Sequence, residues 1–214
     1  MNTYTFLGQR LVAIVVLDRP DDAVPLAEAL LAGGLKVMEI PFRTARAAEA
    51  IVRVRKETPA MAIGAGTLLT ADNVKQAVDA GAQFGVSPGL SETVVAAAHQ
   101  DDLPMFPGVV TPTEITRALD LGCDHLKFFP AEAAGGVATL KALAGPFAHT
   151  GLKFFPTGGI NATSLADYLA LPQVAAVGGS WMAERKLVAE RAWSKITALT
   201  ADALKLIAPS TALP

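Results

Sequence analysis

A single cysteine, Cys123, excludes any disulfide within the chain and fits a reducing compartment. Charge is scarce as well. Only 18% of the 214 residues are Asp, Glu, Lys or Arg, the net charge is −2, and no basic run occurs. That balance offers no electrostatic footprint for nucleic acid or for an anionic membrane surface. No apolar run approaches the roughly 18 residues needed to span a bilayer. The run Leu11 to Leu17 could pass for a signal-peptide core. It is short, passes straight into Asp18-Arg19-Pro20 and lacks a small-residue cleavage site, so it reads as a buried strand. Together these absences point to a cytoplasmic protein. His99, His125 and His149 are scattered and share no ligand spacing with Cys123, so no metal site is expected. No Walker-type phosphate loop, interdomain linker or low-complexity segment is present.

What the chain has instead is apolar mass, 51% of its residues, spread evenly enough to favour a single domain over 1–214. Short β-branched runs alternate with Ala/Leu-rich segments of helical period. The strand candidates are 11–17, 36–40, 61–65, 83–87, 103–107, 124–129, 152–156 and 174–178. Helical candidates follow each, at 21–33, 44–57, 71–80, 91–99, 112–121, 137–145, 162–170 and 187–207. Asp21-Asp22, Thr70 with Asp72, Ser91 with Glu92, and Thr111-Pro112 are helix-start signals. Gly33-Gly34, Gly81 and Gly122 are helix stops. The tail after Leu206, with two prolines, is expected to be loose.

Strands that are apolar throughout, rather than alternating, belong in a parallel sheet covered on both faces. Eight of them, each followed by a helix, form the pattern of a compact (β/α)8 TIM barrel. An open doubly wound sheet is the runner-up. Against it, the one Gly-rich turn of dinucleotide type, Gly64-Ala65-Gly66, has Leu69 at the third small position and no helix starting there.

In such a barrel the active site lies at the C-terminal strand ends, and those ends carry the unusual residues. Lys127 sits inside His125-Leu126-Lys127-Phe128-Phe129-Pro130, where a solvated charge has no ordinary place. Desolvation disfavours an ammonium, and a neutral amine is a nucleophile towards carbonyls, so Lys127 is a candidate Schiff-base former. The bland alternative is a stem that packs while its head reaches water. Leu-Lys-Phe-Phe-Pro recurs at 152–156, which makes Lys153 a rival. Lys153 falls at the foot of its strand, towards the opposite face, so position favours Lys127 without excluding the other.

Glu39, within Val37-Met38-Glu39-Ile40, is the second anomalous charge. It is either a structural carboxylate or a general acid/base facing the same cavity, since imine and enamine chemistry needs repeated proton transfers. Arg43 is either a solvated loop charge or a fork for a substrate carboxylate. Thr157-Gly158-Gly159 and Gly178-Gly179-Ser180 occupy the loops after strands 7 and 8, the usual phosphate position in such barrels. A side chain added at Gly159 is expected to crowd that anion. Phe129 shares the face of Lys127 and is a candidate wall of the site, while Phe128, Phe154 and Phe155 read mostly as core.

Glu39-Ile40-Pro41-Phe42-Arg43-Thr44, Gly64-Ala65-Gly66-Thr67, Ser87-Pro88-Gly89, Lys127-Phe128-Phe129-Pro130-Ala131-Glu132, Pro156-Thr157-Gly158-Gly159-Ile160 and Gly178-Gly179-Ser180-Trp181 form an ordered set. Over roughly residues 10 to 185 this set resembles the 2-keto-3-deoxy-6-phosphogluconate (KDPG) and KHG aldolase family. The resemblance implies a class I, metal-independent lyase on a (β/α)8 barrel, needing no cofactor and usually a homotrimer. Such an enzyme cleaves a phosphorylated keto acid to pyruvate and glyceraldehyde 3-phosphate in the Entner–Doudoroff pathway. Carried over residue by residue, it implies Lys127 as the Schiff-base lysine and Glu39 as the proton shuttle. Arg43 and Thr67 would hold the substrate carboxylate, and Pro88 and Phe129 would line the pyruvoyl pocket. Thr157, Gly158, Gly159, Gly179 and Ser180 would bind phosphate and nearby hydroxyls. The chain departs from the family at Pro41-Phe42, where Thr-Leu is more usual, and its stem before strand 1 is short. A polar Thr157 favours the gluco substrate over its galacto epimer. The same chemistry on phosphogalactonate or 4-hydroxy-2-oxoglutarate is the nearest alternative. A sugar-phosphate isomerase or epimerase, or a sensor without turnover, would use the phosphate loops but not Lys127.

Overall fold

The computed structural model describes residues 5–207; the side chains of Thr5 and Phe6, and the tail expected to be loose from 208 onward, lie outside what it describes. A 3-10 turn over Thr5–Gln9 precedes β1 (Leu11–Ile14). Then α1 (Ala23–Ala32), β2 (Val37–Pro41), α2 (Ala47–Glu57), β3 (Ala62–Gly66) and α3 (Ala71–Asp79) follow in strict alternation. The chain continues through β4 (Gly85–Val86), α4 (Glu92–Gln100), β5 (Met105–Phe106), β6 (Gly108–Val109), α5 (Pro112–Asp120), β7 (His125–Phe128) and α6 (Gly136–Phe147). It closes with β8 (Lys153–Pro156), α7 (Leu165–Leu169), β9 (Val177–Gly179), α8 (Arg185–Ala189) and α9 (Trp193–Lys205).

All strand pairings are parallel. One sheet of six strands runs β5-β4-β3-β2-β1-β9, and a second of three runs β6-β7-β8. This is the α/β arrangement that uniformly apolar strands require, because helices cover the outer face and strand residues fill the inner one. Val12, Met38, Ile63, Leu126 and Phe154 are all fully or almost fully buried. Of the strand expected over 103–107 only β5 is extended into a ladder, and a further two-residue strand, β6, begins after Pro107, which has no N–H to give to a ladder. Its carbonyl still accepts from the Lys127 backbone N–H at 2.9 Å. Isolated parallel bridges join Phe154 to Val174 and Thr157 to Gly178.

Helix ends follow local chemistry in most places. Thr70 caps α3 by accepting from the Asn73 N–H, and Thr111 with Glu114 forms a complete capping box on α5 with Pro112 at its first turn. Gly81 and Gly122 stop the preceding helices at positive φ. Ser91 makes no cap bond; its hydroxyl meets that of Thr93 instead. Asp22 does not cap α1 either. It is buried and accepts hydrogen bonds from Arg19 Nε and Arg191 Nε at 2.8 and 2.9 Å. The single helix expected over 187–207 is two helices, α8 and α9, with Arg191 between them at φ 51°. The backbone turns left-handed there while the Arg191 guanidinium reaches Asp22, a tertiary contact that overrides continuous helical periodicity.

Candidate active site

The strand ends bring the singled-out residues to one rim. Glu39 lies in β2 and Arg43 in the loop after it; Thr67 follows β3 directly and Pro88 follows β4. Lys127 lies in β7 with Phe129 just beyond, Thr157-Gly158-Gly159 follow β8, and Gly179 ends β9 before Ser180. Arg43, Gly159 and Ser180 are exposed, whereas Glu39 and Lys127 are 1% and 6% exposed.

Lys127 and Glu39 interact through a poorly hydrated interior. Burial pushes the Glu39 carboxyl above the ordinary range, and the positive charges of Lys127 and then Arg43 oppose that rise. Glu39 Oε2 is buried without a hydrogen-bond partner among the described residues, and so is Thr157 Oγ1. Buried polar atoms are nearly always satisfied, so these two orphans are exceptions among the described residues. Lys127 Nζ lies 4.8 Å from the centroid of the Phe129 ring, whose face stabilises a cation. Lys153 has a different environment. It is half-buried at the first position of β8, its Nζ donates to the Pro172 carbonyl at 3.1 Å, and its Cα pairs with His125, two residues below Lys127.

Three geometric details of this rim were not legible in the sequence. A Cβ on Gly66 would collide with Glu39 Oε1, so the absent side chain at the end of β3 is what leaves room for the carboxylate. Thr67, next in the chain, is half-buried at φ 57°. A β-branched residue in the left-handed region costs about 1–2 kcal/mol, a strain characteristic of functional rims. Buried Ser87 donates from Oγ to the Gly89 carbonyl at 2.8 Å and so fixes the turn that carries Pro88.

The loop after β8 corrects one expectation. Gly158 and Gly159 sit at φ 102° and 84°, conformations that L side chains rarely adopt. A Cβ on Gly159 would not point into open space for an anion; it would meet the Glu132 stem at 2.8–2.9 Å. Glu132 and its partner Tyr168 are the residues that the sequence left unassigned.

A parallel α/β scaffold with a buried lysine and carboxylate facing one rim defines a protein equipped for lysine-based carbonyl chemistry. The model of the KDPG and KHG aldolase family matches residues 5–199, and the chain belongs to that family. A 2-dehydro-3-deoxy-phosphogluconate aldolase of Treponema pallidum is 48% identical over 198 residues, covering 92% of this chain and 93% of the relative. A KDPG aldolase of Legionella pneumophila, solved with pyruvate captured at low pH as a covalent carbinolamine intermediate, superposes with a TM-score of 0.89. It is 40% identical and covers 94% of this chain and 97% of its own. The 2-keto-3-deoxy-6-phosphogluconate aldolase of Zymomonas mobilis, solved with 3-phosphoglycerate, gives a TM-score of 0.88 at 40% identity, covering 99% of both chains.

Proposed function

We propose that the chain is a class I aldolase that reversibly cleaves 2-keto-3-deoxy-6-phosphogluconate to pyruvate and glyceraldehyde 3-phosphate. The observation that carries the reading is the buried Lys127 beside a buried Glu39 of raised proton affinity. The Lys127 amine adds to carbon 2 of the keto acid to give a carbinolamine, and loss of water gives an iminium. Glu39 takes the proton of the carbon-4 hydroxyl as the C3–C4 bond breaks. The bonding electrons pass into the iminium, leaving an enamine, and the aldehyde departs. Returning a proton to carbon 3 and adding water release pyruvate and restore the amine. The iminium is itself the electron sink for the broken bond.

Arg43 and Thr67 hold the carboxylate, Pro88 and Phe129 wall the pyruvoyl group, and Thr157 through Gly159 with Gly179 and Ser180 take the phosphate and hydroxyls. The unpartnered Thr157 Oγ1 is free to bond a substrate hydroxyl, which supports the gluco over the galacto epimer. For the scaffold we propose one domain with a closed (β/α)8 barrel, in which β5 and β6 are a single strand interrupted at Pro107. The bridge from Thr157 to Gly178, joining the ends of the two sheets, supports closure. A homotrimer is the assembly implied by the family resemblance, and light scattering tests it.

Borohydride reduction in the presence of pyruvate tests the chemistry. A stable adduct mapped by peptide mass to Lys127 is expected; failure to trap any adduct would overturn the reading.

A further inference from the structure

The segment after Lys127 and the loop after β8 are joined more closely than neighbouring strands require. The Ala131 N–H donates to the Thr157 carbonyl at 2.8 Å and the Glu132 N–H to the Gly158 carbonyl at 3.0 Å. The stem of Glu132 fills the place that a side chain on Gly159 would take, and the ring of Phe129 lies 3.2 Å from that place on Gly158. The Glu132 side chain is in turn held. Its Oε1 accepts from the Tyr168 hydroxyl at 2.7 Å. Tyr168, on α7, is fully buried, while Glu132 itself is exposed.

An exposed carboxylate bound by a buried phenol costs the chain a desolvated hydroxyl and an ordered glutamate. The buried Tyr168 hydroxyl needs an acceptor, and Glu132 supplies it from the segment that packs against the loop after β8. Burial and the neighbouring Glu132 charge both push the Tyr168 phenol up, so it remains a hydrogen-bond donor at any physiological pH. The donor is therefore permanent, and the stem of the residue that accepts from it packs against the left-handed Gly159.

We propose that Tyr168 and Glu132 are positioning residues. They set the Thr157-Gly158-Gly159 loop at a fixed distance from Lys127, so that one substrate engages the nucleophile and the phosphate end together. The inference rests on the reading of that loop as the phosphate end of the site. Neither residue is required for imine formation, because pyruvate occupies only the Lys127 end. Misplacing remote binding groups costs the reaction of the long substrate while sparing the short one.

The test compares Tyr168→Phe, Glu132→Ala, Glu132→Gln and the Tyr168→Phe/Glu132→Ala double variant with wild type. Two readouts are used: kcat/KM for the phosphorylated six-carbon substrate, and the rate of borohydride trapping with pyruvate. Tyr168→Phe and Glu132→Ala are each expected to lose about tenfold in kcat/KM, the scale of one charge-assisted hydrogen bond, with trapping unchanged. The double variant should lose no more than Glu132→Ala alone, because the hydrogen bond that Tyr168→Phe removes is already gone in Glu132→Ala. Glu132→Gln keeps an acceptor oxygen and should retain most of the wild-type value. Equal losses in cleavage and trapping, additive losses, or no loss at all would overturn the positioning role. The parent reading is separated by wild type alone. If wild type uses phosphorylated and unphosphorylated substrates equally well, the loop is not a phosphate site and the inference falls with it.

Discussion

The carboxylate of Glu39 occupies the space that a side chain on Gly66 would need, two positions across the β2–β3 ladder from its own register partner, Gly64. The smallest residue at the end of β3 is therefore a requirement of the neighbouring strand's acid. Gly66→Ala should force Glu39 to move, at a stability cost of about 1–3 kcal/mol for overpacking. If Glu39 shuttles protons, solvent deuterium should enter the pyruvate methyl roughly 100-fold more slowly in this variant, while the Lys127 adduct still forms. Proton NMR of pyruvate in heavy water measures it. Exchange at the wild-type rate would show that the acid's position is immaterial.

Glu39→Gln tests the same acid through pH. Because burial raises its proton affinity in the folded state, Glu39 stays protonated there over a range in which the unfolded chain has already ionised. The native state then holds more protons than the unfolded state, so the stability Glu39 contributes falls as pH rises through that window. Below the ordinary carboxylate range both states are protonated and the effect disappears. The melting temperature of Glu39→Gln relative to wild type should accordingly climb between mildly acid and neutral pH, while turnover drops roughly 100-fold or more. A gap that shrinks with pH would contradict a raised Glu39.

Lys127→Met should abolish both turnover and the trapped pyruvate adduct. Lys153→Met should keep both, and because it loses only one bond to the Pro172 carbonyl its stability should change by about 0.5 kcal/mol or less. An adduct on Lys153 would sink the assignment.

Lys127 and Glu39 stand out in the sequence because each interrupts an apolar strand, and a buried charge is conspicuous wherever the strand goes. The strand–helix alternation is legible for a similar reason, since periodicity and caps are local. What escaped depends on partners far away in the chain. Tyr168 meets Glu132 across 36 residues, and Arg191 breaks the last helix to reach Asp22 across 169. The necessity of Gly66 exists only once Glu39 is beside it. Gly159 looked like room for an anion because its true neighbour, Glu132, belongs to another loop.

Arg43 is exposed yet near enough to Glu39 for its charge to oppose the effect of burial there. Arg43→Ala should raise the pyruvate concentration needed for half-maximal trapping by about tenfold or more, the scale of a lost charged hydrogen bond. Arg43→Lys should recover only part of this, because the bidentate fork is lost while the charge remains. Identical pyruvate dependence in all three proteins would remove Arg43 from the carboxylate site.

Gly159→Val bears on substrate class, and the structure changes the reason for its effect. At φ 84° a valine is strained, and its Cβ would press on the Glu132 stem rather than on a bound anion. The loop and the Glu132 segment must then part, which removes the backbone N–H groups of Gly158 and Gly159 from their places. Cleavage of the phosphorylated six-carbon substrate should fall by roughly 100-fold, comparable to losing more than one hydrogen bond to an anion. Borohydride trapping of pyruvate should persist, since the Lys127 end is undisturbed. Taking the phosphate off the substrate should cost wild type about as much as the substitution does, and should cost the variant little more. Such non-additivity is the signature of two changes deleting one interaction. If the variant instead loses the full factor again when the phosphate is removed, the anion is held elsewhere, and the left-handed glycines after β8 serve only to pack Glu132.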